Sequence, residues 1–390
     1  MNGRVPRILF VSHSASRNGA TILLLHLLQW LRRNTDYRLE VLMNGTGALL
    51  PDFRKVCETR VWRAPGRVLN TLPGRWRRSL EPWVDSHSLR LWLAGRRYDL
   101  VYFNTAVAAA KFSAAADYAG AVLWHIHELE YALRLAAGEA SIDKLVKLAN
   151  RFISVSGPVS STLVDRFHVR PEQIDLVHGF VPAPPQAPEQ AGAICREVRC
   201  RLGWPEDAFV VGGCGALGWR KGTDIFLQLA REMSGGRTRF LWVGGKPGDD
   251  ATLQFEYDLH MFGLEDRCAL VPTTSSVLEY YLAMDVFALT SREDPFPLVM
   301  LEAAACNLPV VCFDSAGGGP EFVTGGAGLT APYLDMKTFA CQIEKLRLAP
   351  ELRQQLGSAA AAKVRALHSV DMQGPKVLDS INRCLAAGAF

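Results

Sequence analysis

The segment that decides the fold is Ser-Arg-Glu-Asp-Pro-Phe-Pro-Leu-Val-Met-Leu-Glu-Ala at residues 291–303. Its two prolines suit a turn and a first helical position, where a missing N–H costs little. The pattern predicts a helix from Leu298 to about Cys306. The first amides of that helix, near Leu298 and Val299, lack intrahelical partners and carry the positive end of the helix dipole. A helix start of this kind can hold a phosphate.

Two carboxylates lie on either side of this predicted phosphate cradle. Asp294 precedes the helix, and Glu302 follows eight positions later inside it. Such a pair fits a ligand that carries hydroxyl groups on both sides of a diphosphate. A nucleotide-sugar is a ligand of this type.

The same segment resembles the Glu-x7-Glu signature of family 4 glycosyltransferases, which have the GT-B fold. The family positions are matched by Ser291, Phe296, Glu302, Ala303 and Pro309. The first Glu of the family falls on Asp294, with Glu293 beside it, so both acids stay candidates for the sugar contact. The resemblance runs from about residue 8 to residue 375 and implies metal-independent, retaining transfer from a nucleotide-diphosphate sugar.

Length and composition are those of an ordinary globular protein. The 390 residues predict two to three domains, with 49% hydrophobic and 21% charged residues. No apolar run reaches the roughly 20 residues needed to span a bilayer, and Ile8–Val11 is better interpreted as a first strand than as a signal segment. Nine Cys without CxxC spacing argue against a disulfide framework or a zinc site and favour a reducing, cytoplasmic location.

Short apolar runs alternate with helical stretches in two halves of the chain, which predicts an α/β fold with parallel sheets. The predicted strands are Ile8–Ser12, Leu39–Met43, Leu100–Phe103, Val122–His125, Phe152–Val155, Ile174–Val177, Phe209–Gly213, Phe240–Val243, Ala269–Val271, Val286–Ala288 and Val310–Phe313. A proline-rich stretch at 181–190 indicates a linker. A last helical region, Met336–Gly388, is predicted to break near Gln373-Gly374-Pro375.

A glycine-rich loop follows the first strand of the second half. Residues 213–218 spell G-x-G-x-x-G, which is typical of a dinucleotide-binding turn. The next predicted helix begins only near Thr223, however, after Arg220 and Lys221, two cations that can hold a diphosphate. A nicotinamide-dependent oxidoreductase would need an acid at the end of the next strand, and the candidate Glu232 falls in a predicted helix.

Two glycine-rich loops extend the resemblance. The family motif Gly-Arg-Leu-x-x-x-Lys-Gly is matched by Gly215, Leu217, Lys221 and Gly222. The Arg of that motif falls on Ala216, and Arg220 is the candidate to replace it. The family motif Gly-Gly-x-Pro-Glu is matched by Gly317, Gly318, Pro320 and Glu321. Glycines let backbone amides approach an anion closely.

Polar residues also follow the predicted strands of the first half. The His-x-His at 125–127 could suggest a metal, but no third ligand is evident. The resemblance implies that His127 lines the donor-sugar site. Asn18 and Gly19 match the family's glycine-containing loop after the first strand, and Asn104 is a candidate at the border of the acceptor site.

Residues 60–97 combine nine Arg with four Trp. Basic residues mixed with Trp suit an anionic bilayer surface or a phosphate-bearing acceptor. An Arg-rich helical insertion whose Trp side chains pack inward explains the pattern equally well. Nucleic acid is disfavoured, because the net charge is only +4 and no reader motif is present.

These observations predict a GT-B glycosyltransferase with two Rossmann-like domains around a cleft. The expected division is an N-terminal acceptor domain 1–181, a linker region 182–207, a nucleotide-sugar domain 208–365 and a terminal helix 366–390 that crosses back. The expected catalytic residues are His127, Arg220, Lys221, Asp294 and Glu302. The expected substrate-binding residues are Asn18, Gly19, Asn104, Gly215, Glu293, Phe296, Pro297, Leu298, Val299, Gly317, Gly318 and Glu321.

We expect no cofactor and no metal, with the nucleotide-diphosphate sugar as donor substrate. The expected acceptor is a glycan or lipid-linked acceptor of cell-surface polysaccharide synthesis, such as lipopolysaccharide, capsule or exopolysaccharide. The expected location is the cytoplasm, with peripheral contact to an anionic inner membrane through residues 60–97. Two alternatives stay open: a non-catalytic nucleotide-sugar-binding protein of the same fold, and an enzyme that acts on a soluble sugar phosphate.

Overall fold

The computed structural model describes residues 4–62, 86–182, 190–233 and 236–388. Most of the Arg- and Trp-rich segment and of the proline-rich linker therefore lie outside the described residues. The chain divides into two compact units, one formed by Met1–Gly179 with Val370–Phe390 and the other by Phe180–Ser369. Within the described residues, no helix combines the length and the apolar composition that a membrane span requires.

The first unit is built on a seven-stranded sheet. Its strands are β1 Arg7–Ser12, β2 Arg38–Met43, β3 Glu58–Val61, β4 Tyr98–Phe103, β5 Ala119–Ile126, β6 Arg151–Ser154 and β7 Ile174–Leu176. They lie in the order β3-β2-β1-β4-β5-β6-β7, and all neighbours are parallel. Its helices are α1 Gly19–Asn34, α2 Leu50–Val56, α3 at 86–93, α4 Ala106–Phe112, α5 Glu130–Ala137, α6 Glu139–Leu148 and α7 Gly157–Phe167.

The second unit is built on a six-stranded parallel sheet. Its strands are β8 Phe209–Cys214, β9 Thr238–Val243, β10 Cys268–Val271, β11 Val286–Leu289, β12 Val310–Phe313 and β13 Gly328–Ala331. They lie in the order β10-β9-β8-β11-β12-β13. Its helices are α8 Ala191–Arg201, α9 Thr223–Glu232, α10 Asp250–Met261, α11 Val277–Ala283, α12 Leu298–Ala305, α13 Gly319–Val323, α14 Met336–Leu348 and α15 Pro350–Leu367.

Every predicted strand is present, and the two-sheet α/β fold is confirmed. The central strands are buried because helices cover both faces of a parallel sheet. In each sheet the strand order reverses once, between β1 and β4 in the first unit and between β8 and β11 in the second. Open α/β sheets bind ligands at the carboxyl ends of the strands beside such a reversal. The candidate residues of both units follow these strands or their neighbours β5 and β12.

The predicted break near Gln373-Gly374-Pro375 is wrong. A last helix, α16 Val370–Ala387, runs through this position with Pro375 inside it. The helical region is interrupted instead after Leu348 and after Leu367. The helix packs against α1, where Gly374 lies against the Trp30 ring. This packing outweighs the local helix-breaking tendency of glycine and proline.

Replacing Gly374 by Ala should destabilise the first unit, because the added Cβ would lie 2.7 Å from Cδ2 of Trp30. Overpacking of this kind costs about 1–3 kcal/mol. The matched control is Gly192→Ala in α8, where the nearest atom would be the flexible Arg196 guanidinium at 3.7 Å, so the protein should keep or gain stability. Chemical unfolding measures both variants, and equal midpoints would contradict the packing argument.

Candidate active site

The two loops that follow β11 and β12 are joined by backbone hydrogen bonds. The amide of Asp294 donates to the carbonyl of Ala316 at 2.7 Å, and the amide of Gly318 donates to the carbonyl of Asp294 at 3.1 Å. Between them, Gly317 has a φ of 126°, a conformation that favours glycine. The carboxylate motif and the Gly-Gly-x-Pro-Glu-like loop therefore form one continuous surface at the carboxyl end of the second sheet.

A largely buried ion pair connects these loops to the loop that follows β8. The Nζ atom of Lys221 is 2.5 Å from Oδ2 of Asp294. The hydroxyl of Ser291 lies 3.4 Å from the same carboxylate oxygen. The Asp294 side chain is 8% exposed and that of Lys221 is 17% exposed. Of the two candidate acids, Asp294 is thus the one that pairs with Lys221, whereas the amide of Glu293 lies 3.4 Å from the carbonyl of Arg220.

The loop that carries the two cations is locked against the loop after β11. Gly222 has a φ of 63°, and a Cβ there would lie 2.0 Å from the carbonyl oxygen of Thr290, so only glycine fits. The Thr290 hydroxyl donates to the Gly222 carbonyl at 3.0 Å. The guanidinium of Arg292 donates to both oxygens of Asp224 at 2.6 and 2.8 Å and lowers the pKa of that carboxyl. These bonds fix the position of Lys221.

Arg220 lies in the short 3-10 helix Trp219–Lys221 and is half-buried. Within the described part of the chain its guanidinium makes no ion pair, so it can bind an anion. Ala216, where the family has its Arg, is exposed. Gly215 makes room for the Lys221 stem, because a Cβ at that position would lie 3.3 Å from its Cε.

The motif helix α12 begins at Leu298 after Pro297, and no described side chain caps its first amides. These amides, including that of Val299, can donate hydrogen bonds to an anion. Glu302 lies one turn further on and accepts a hydrogen bond from the Tyr281 hydroxyl at 3.0 Å. Burial, with the nearby thiol of Cys214 and the Glu302 carboxylate, raises the pKa of Tyr281 well above its ordinary value. The phenol of Tyr281 therefore stays protonated, and by donating this hydrogen bond it holds the Glu302 carboxylate in place.

The remaining predicted residues of this unit frame the same loops. Phe296 is buried, with its ring centroid 5.3 Å from that of His368. Glu321 lies in the first turn of the short helix α13, and its carbonyl accepts a hydrogen bond from Nζ of Lys363 at 3.1 Å. The structure thus joins Lys221, Asp294 and Gly318 directly.

In the first unit, predicted residues follow the three neighbouring strands β1, β4 and β5. His127 Nε2 lies 3.3 Å from Oδ1 of Asn104. Asn18 caps α1, whose first residue is Gly19, by accepting from the amide of Thr21 at 3.1 Å.

Sequence reasoning missed His13, which lies between Asn18 and Thr105. Its Nε2 is 3.2 Å from Nδ2 of Asn18, and its Nδ1 is 3.4 Å from the hydroxyl of Thr105. Its position directly after β1 was the available signal, since residues that follow a central strand lie at the ligand-binding edge of such sheets.

The histidines of this cluster are electrically neutral near pH 7. Burial, together with the smaller effect of the neighbouring His13, lowers the pKa of His127 to about 3. His125 is 1% exposed, and its ring centroid lies 4.0 Å from that of His127. Across the described residues, no three His, Cys, Asp or Glu side chains are grouped as in a metal site. The arrangement offers neutral hydrogen-bonding groups to a polar ligand.

Two family models match the chain, one for each unit. Residues 17–183 match Glycosyltransferase Family 4, and residues 196–363 match Glycosyl transferases group 1. Together these matches cover most of the sequence.

Solved structures with the same fold cover nearly the whole chain. HepE of Anabaena in complex with UDP-glucose superposes with a TM-score of 0.80 at 19% identity, over 97% of this chain and 100% of that one. Sucrose-phosphate synthase from Thermosynechococcus elongatus gives 0.78 at 19% identity, over 98% and 100%. WaaG, a glycosyltransferase involved in lipopolysaccharide biosynthesis, gives 0.72 at 14% identity, over 96% and 98%.

The fold and the two family matches define this chain as a GT-B glycosyltransferase. Among curated proteins it is similar to the D-inositol 3-phosphate glycosyltransferases of Xylanimonas cellulosilytica and Streptomyces bingchenggensis. The first is 30% identical over 235 residues, or 58% of this chain and 53% of the relative. The second is 29% identical over 292 residues, or 72% and 60%. The chain therefore spans between half and two thirds of the length of these relatives.

The oxidoreductase alternative needs an acid at the end of the strand after the glycine-rich loop, and neither that strand end nor Glu232 provides one. The strand after the G-x-G-x-x-G segment, β9, ends at Val243 and is followed by Gly244, Gly245 and Lys246 rather than by an acid. Glu232 is the last residue of α9. The family matches assign the same loop to a glycosyltransferase domain.

Proposed function

We propose that this chain transfers a sugar, with retention of configuration, from a nucleotide-diphosphate sugar to a glycan or lipid-linked acceptor. The supporting observation is the buried pair of Lys221 and Asp294 beside the uncapped start of α12. A cation and helix-start amides at one place suit a diphosphate. A carboxylate that accompanies them suits the hydroxyl groups of the attached sugar.

In this proposal the leaving diphosphate is stabilised by protein groups alone. Negative charge that develops on the diphosphate is met by Lys221, Arg220 and the first amides of α12, which are preorganised and need little rearrangement. The acceptor oxygen bonds to the anomeric carbon on the face from which the diphosphate departs. The bond from that carbon to the phosphate oxygen breaks, and the departing phosphate takes the acceptor's proton.

The carboxylates and His127 hold hydroxyl groups rather than react. Glu302, fixed by Tyr281, accepts from the ribose hydroxyls. Both described side-chain contacts of Asp294 are made by Oδ2, which leaves Oδ1 for a sugar hydroxyl. His127, kept neutral by burial, accepts from a hydroxyl of the donor sugar.

The proposed acceptor is membrane-linked or a growing surface polysaccharide, and one structural neighbour, WaaG, is a glycosyltransferase involved in lipopolysaccharide biosynthesis. In the described part of segment 60–97, Trp62 is 8% exposed and its ring centroid lies 6.2 Å from that of Trp92, while the guanidiniums of Arg60 and Arg96 lie 5.0 and 4.6 Å from the Trp92 ring centroid. These two Trp side chains therefore pack against the protein, as the alternative interpretation of the segment predicts. The names of the curated relatives favour a second candidate, a soluble phosphorylated polyol. Radiolabelled donor decides between them: label in the lipid or polymer fraction supports the first, and label on added inositol phosphate supports the second.

Donor binding is the first test of this function. Thermal unfolding with UDP-, GDP-, ADP- and dTDP-sugars should show stabilisation by at least one of them and none by NAD. At a ligand concentration 100 times Kd the gain is about 2.7 kcal/mol. Calorimetry then gives the affinity and identifies the base. Stabilisation by NAD alone would contradict the proposal.

A further inference from the structure

The side-chain amide of Asn104 fixes the direction of hydrogen bonding at His127. Asn104 is fully buried, and its Nδ2 donates to the carbonyl of Ala20 at 3.0 Å. Its Oδ1 therefore faces Nε2 of His127 at 3.3 Å. An amide oxygen only accepts, so the imidazole must carry its proton on Nε2. The lone pair of Nδ1 is then the acceptor that His127 can offer to a ligand.

The same reasoning gives the neighbouring His13 the opposite tautomer. Oδ1 of Asn18 accepts from the amide and the hydroxyl of Thr21 at 3.1 and 3.0 Å, so its Nδ2 points to Nε2 of His13. That nitrogen must accept, and the proton of His13 lies on Nδ1, directed at Thr105. Burial lowers the pKa of His13 as well. His127 thus faces a neutral neighbour.

The titratable groups around His127 come from three strand ends. His13 follows β1, Tyr102 lies on β4 with its hydroxyl 2.5 Å from Nδ1 of His125, and His125 stacks on His127 from β5. The carboxylate of Glu128 accepts from the backbone amide of His127 at 3.0 Å. Glu128 favours a charged imidazole, but burial opposes it and dominates.

We propose that Asn104 is a positioning residue for the transfer reaction. It holds His127 as the neutral Nε2–H tautomer, so that Nδ1 accepts a hydrogen bond from a hydroxyl of the bound sugar. The inference rests on the proposed function for its substrate, but the tautomer is a property of the free protein. Asn104 itself acts through His127 and is too deeply buried to line the acceptor site.

The tautomer is measured without any substrate. Histidine-selective ¹⁵N labelling with long-range ¹H–¹⁵N correlation reports which ring nitrogen is protonated, and His127→Asn assigns the signals. Wild type should show a protonated Nε2 on His127 near neutral pH. In Asn104→Leu this preference should be lost. A protonated Nδ1 in wild type, or an unchanged tautomer in Asn104→Leu, would overturn the proposal.

A pH profile separates positioning from a merely structural role. Asn104→Asp places a carboxylate against Nε2, which raises the pKa of His127 by about 1 to 3 units. The transfer rate of this variant should fall as the pH drops through that raised pKa, because protonated Nδ1 no longer accepts. The transfer rate of the wild type should stay constant to a lower pH, since its His127 has a pKa of about 3.

The matched control is Asn34→Asp. Asn34 is the last residue of α1, and its Nδ2 also donates to a backbone carbonyl, that of Trp30. Asn104, by contrast, contacts the carbonyl of Ala20 at the start of the same helix. The Asn34→Asp variant should keep the wild-type profile. An acid limb that does not move in a folded, active Asn104→Asp variant would refute the positioning role. If wild type neither binds nor consumes any nucleotide-sugar, the proposed function fails instead, and the NMR result still decides the role of Asn104.

Discussion

Replacing Lys221 by Met should lower kcat about 100- to 1000-fold, the usual effect of removing one group that stabilises developing negative charge. The same change should destabilise the second unit, because it leaves the carboxylate of Asp294, 8% exposed, without its cation. Breaking a buried pair by removing one partner costs about 3–5 kcal/mol. Steady-state kinetics and chemical unfolding measure the two effects separately.

A double variant, compared with Asp294→Asn alone, shows how much of the loss of stability comes from the uncompensated charge and whether Lys221 serves activity apart from stability. Lys221→Met/Asp294→Asn removes the uncompensated charge and should recover most of the stability but little of the activity. Lys246→Met, an exposed lysine in the loop after β9, is the matched control and should keep wild-type kcat. Recovery of activity in the double variant would mean that Lys221 serves the fold rather than the leaving group.

Replacing Glu302 by Ala should weaken donor binding about 10- to 100-fold and lower kcat/KM by at least the same factor. The carboxylate accepts from ribose hydroxyls in the proposed complex, and hydrogen bonds to charged groups contribute about 1.5–3 kcal/mol. Calorimetry with the preferred donor measures the affinity, and circular dichroism checks that the fold is intact.

The Tyr281→Phe variant provides a second, smaller expected loss of donor affinity for comparison with Glu302→Ala. It keeps the carboxylate of Glu302 and removes only the 3.0 Å hydrogen bond that orients it, so its loss of affinity should be smaller than that of Glu302→Ala. Wild-type donor hydrolysis or transfer that falls in Glu302→Ala would exclude a non-catalytic binding protein. Unchanged affinity in Glu302→Ala would remove this residue from the donor site.

The fold was predictable because its strands carry a strong local signal. Central strands such as Val310–Phe313 are uninterrupted apolar runs, as expected where helices cover both faces. The two unpredicted strands, β3 and β13, lie at sheet edges, where charged or small residues such as Glu58, Arg60 and Gly328 are tolerated. The error at Gly374 has a different cause, since a contact with Trp30 far along the chain decides that position.

The motif residues were predictable as candidates, but their partners were not. The ion pair of Lys221 with Asp294, rather than with the adjacent Glu293, joins residues that lie 73 positions apart. Tyr281 precedes Glu302 by 21 positions and belongs to another helix. The role of Asn104 depends on the carbonyl of Ala20. Contacts of this kind follow from the assembled sheet rather than from any local pattern.

The most direct test of the account is a crystal structure with the nucleoside diphosphate that binds most tightly. We expect its phosphates within hydrogen-bonding distance of Nζ of Lys221 and of the amides of Leu298 and Val299, with the ribose on Glu302. A diphosphate bound away from Lys221 and the start of α12 would contradict the central claim.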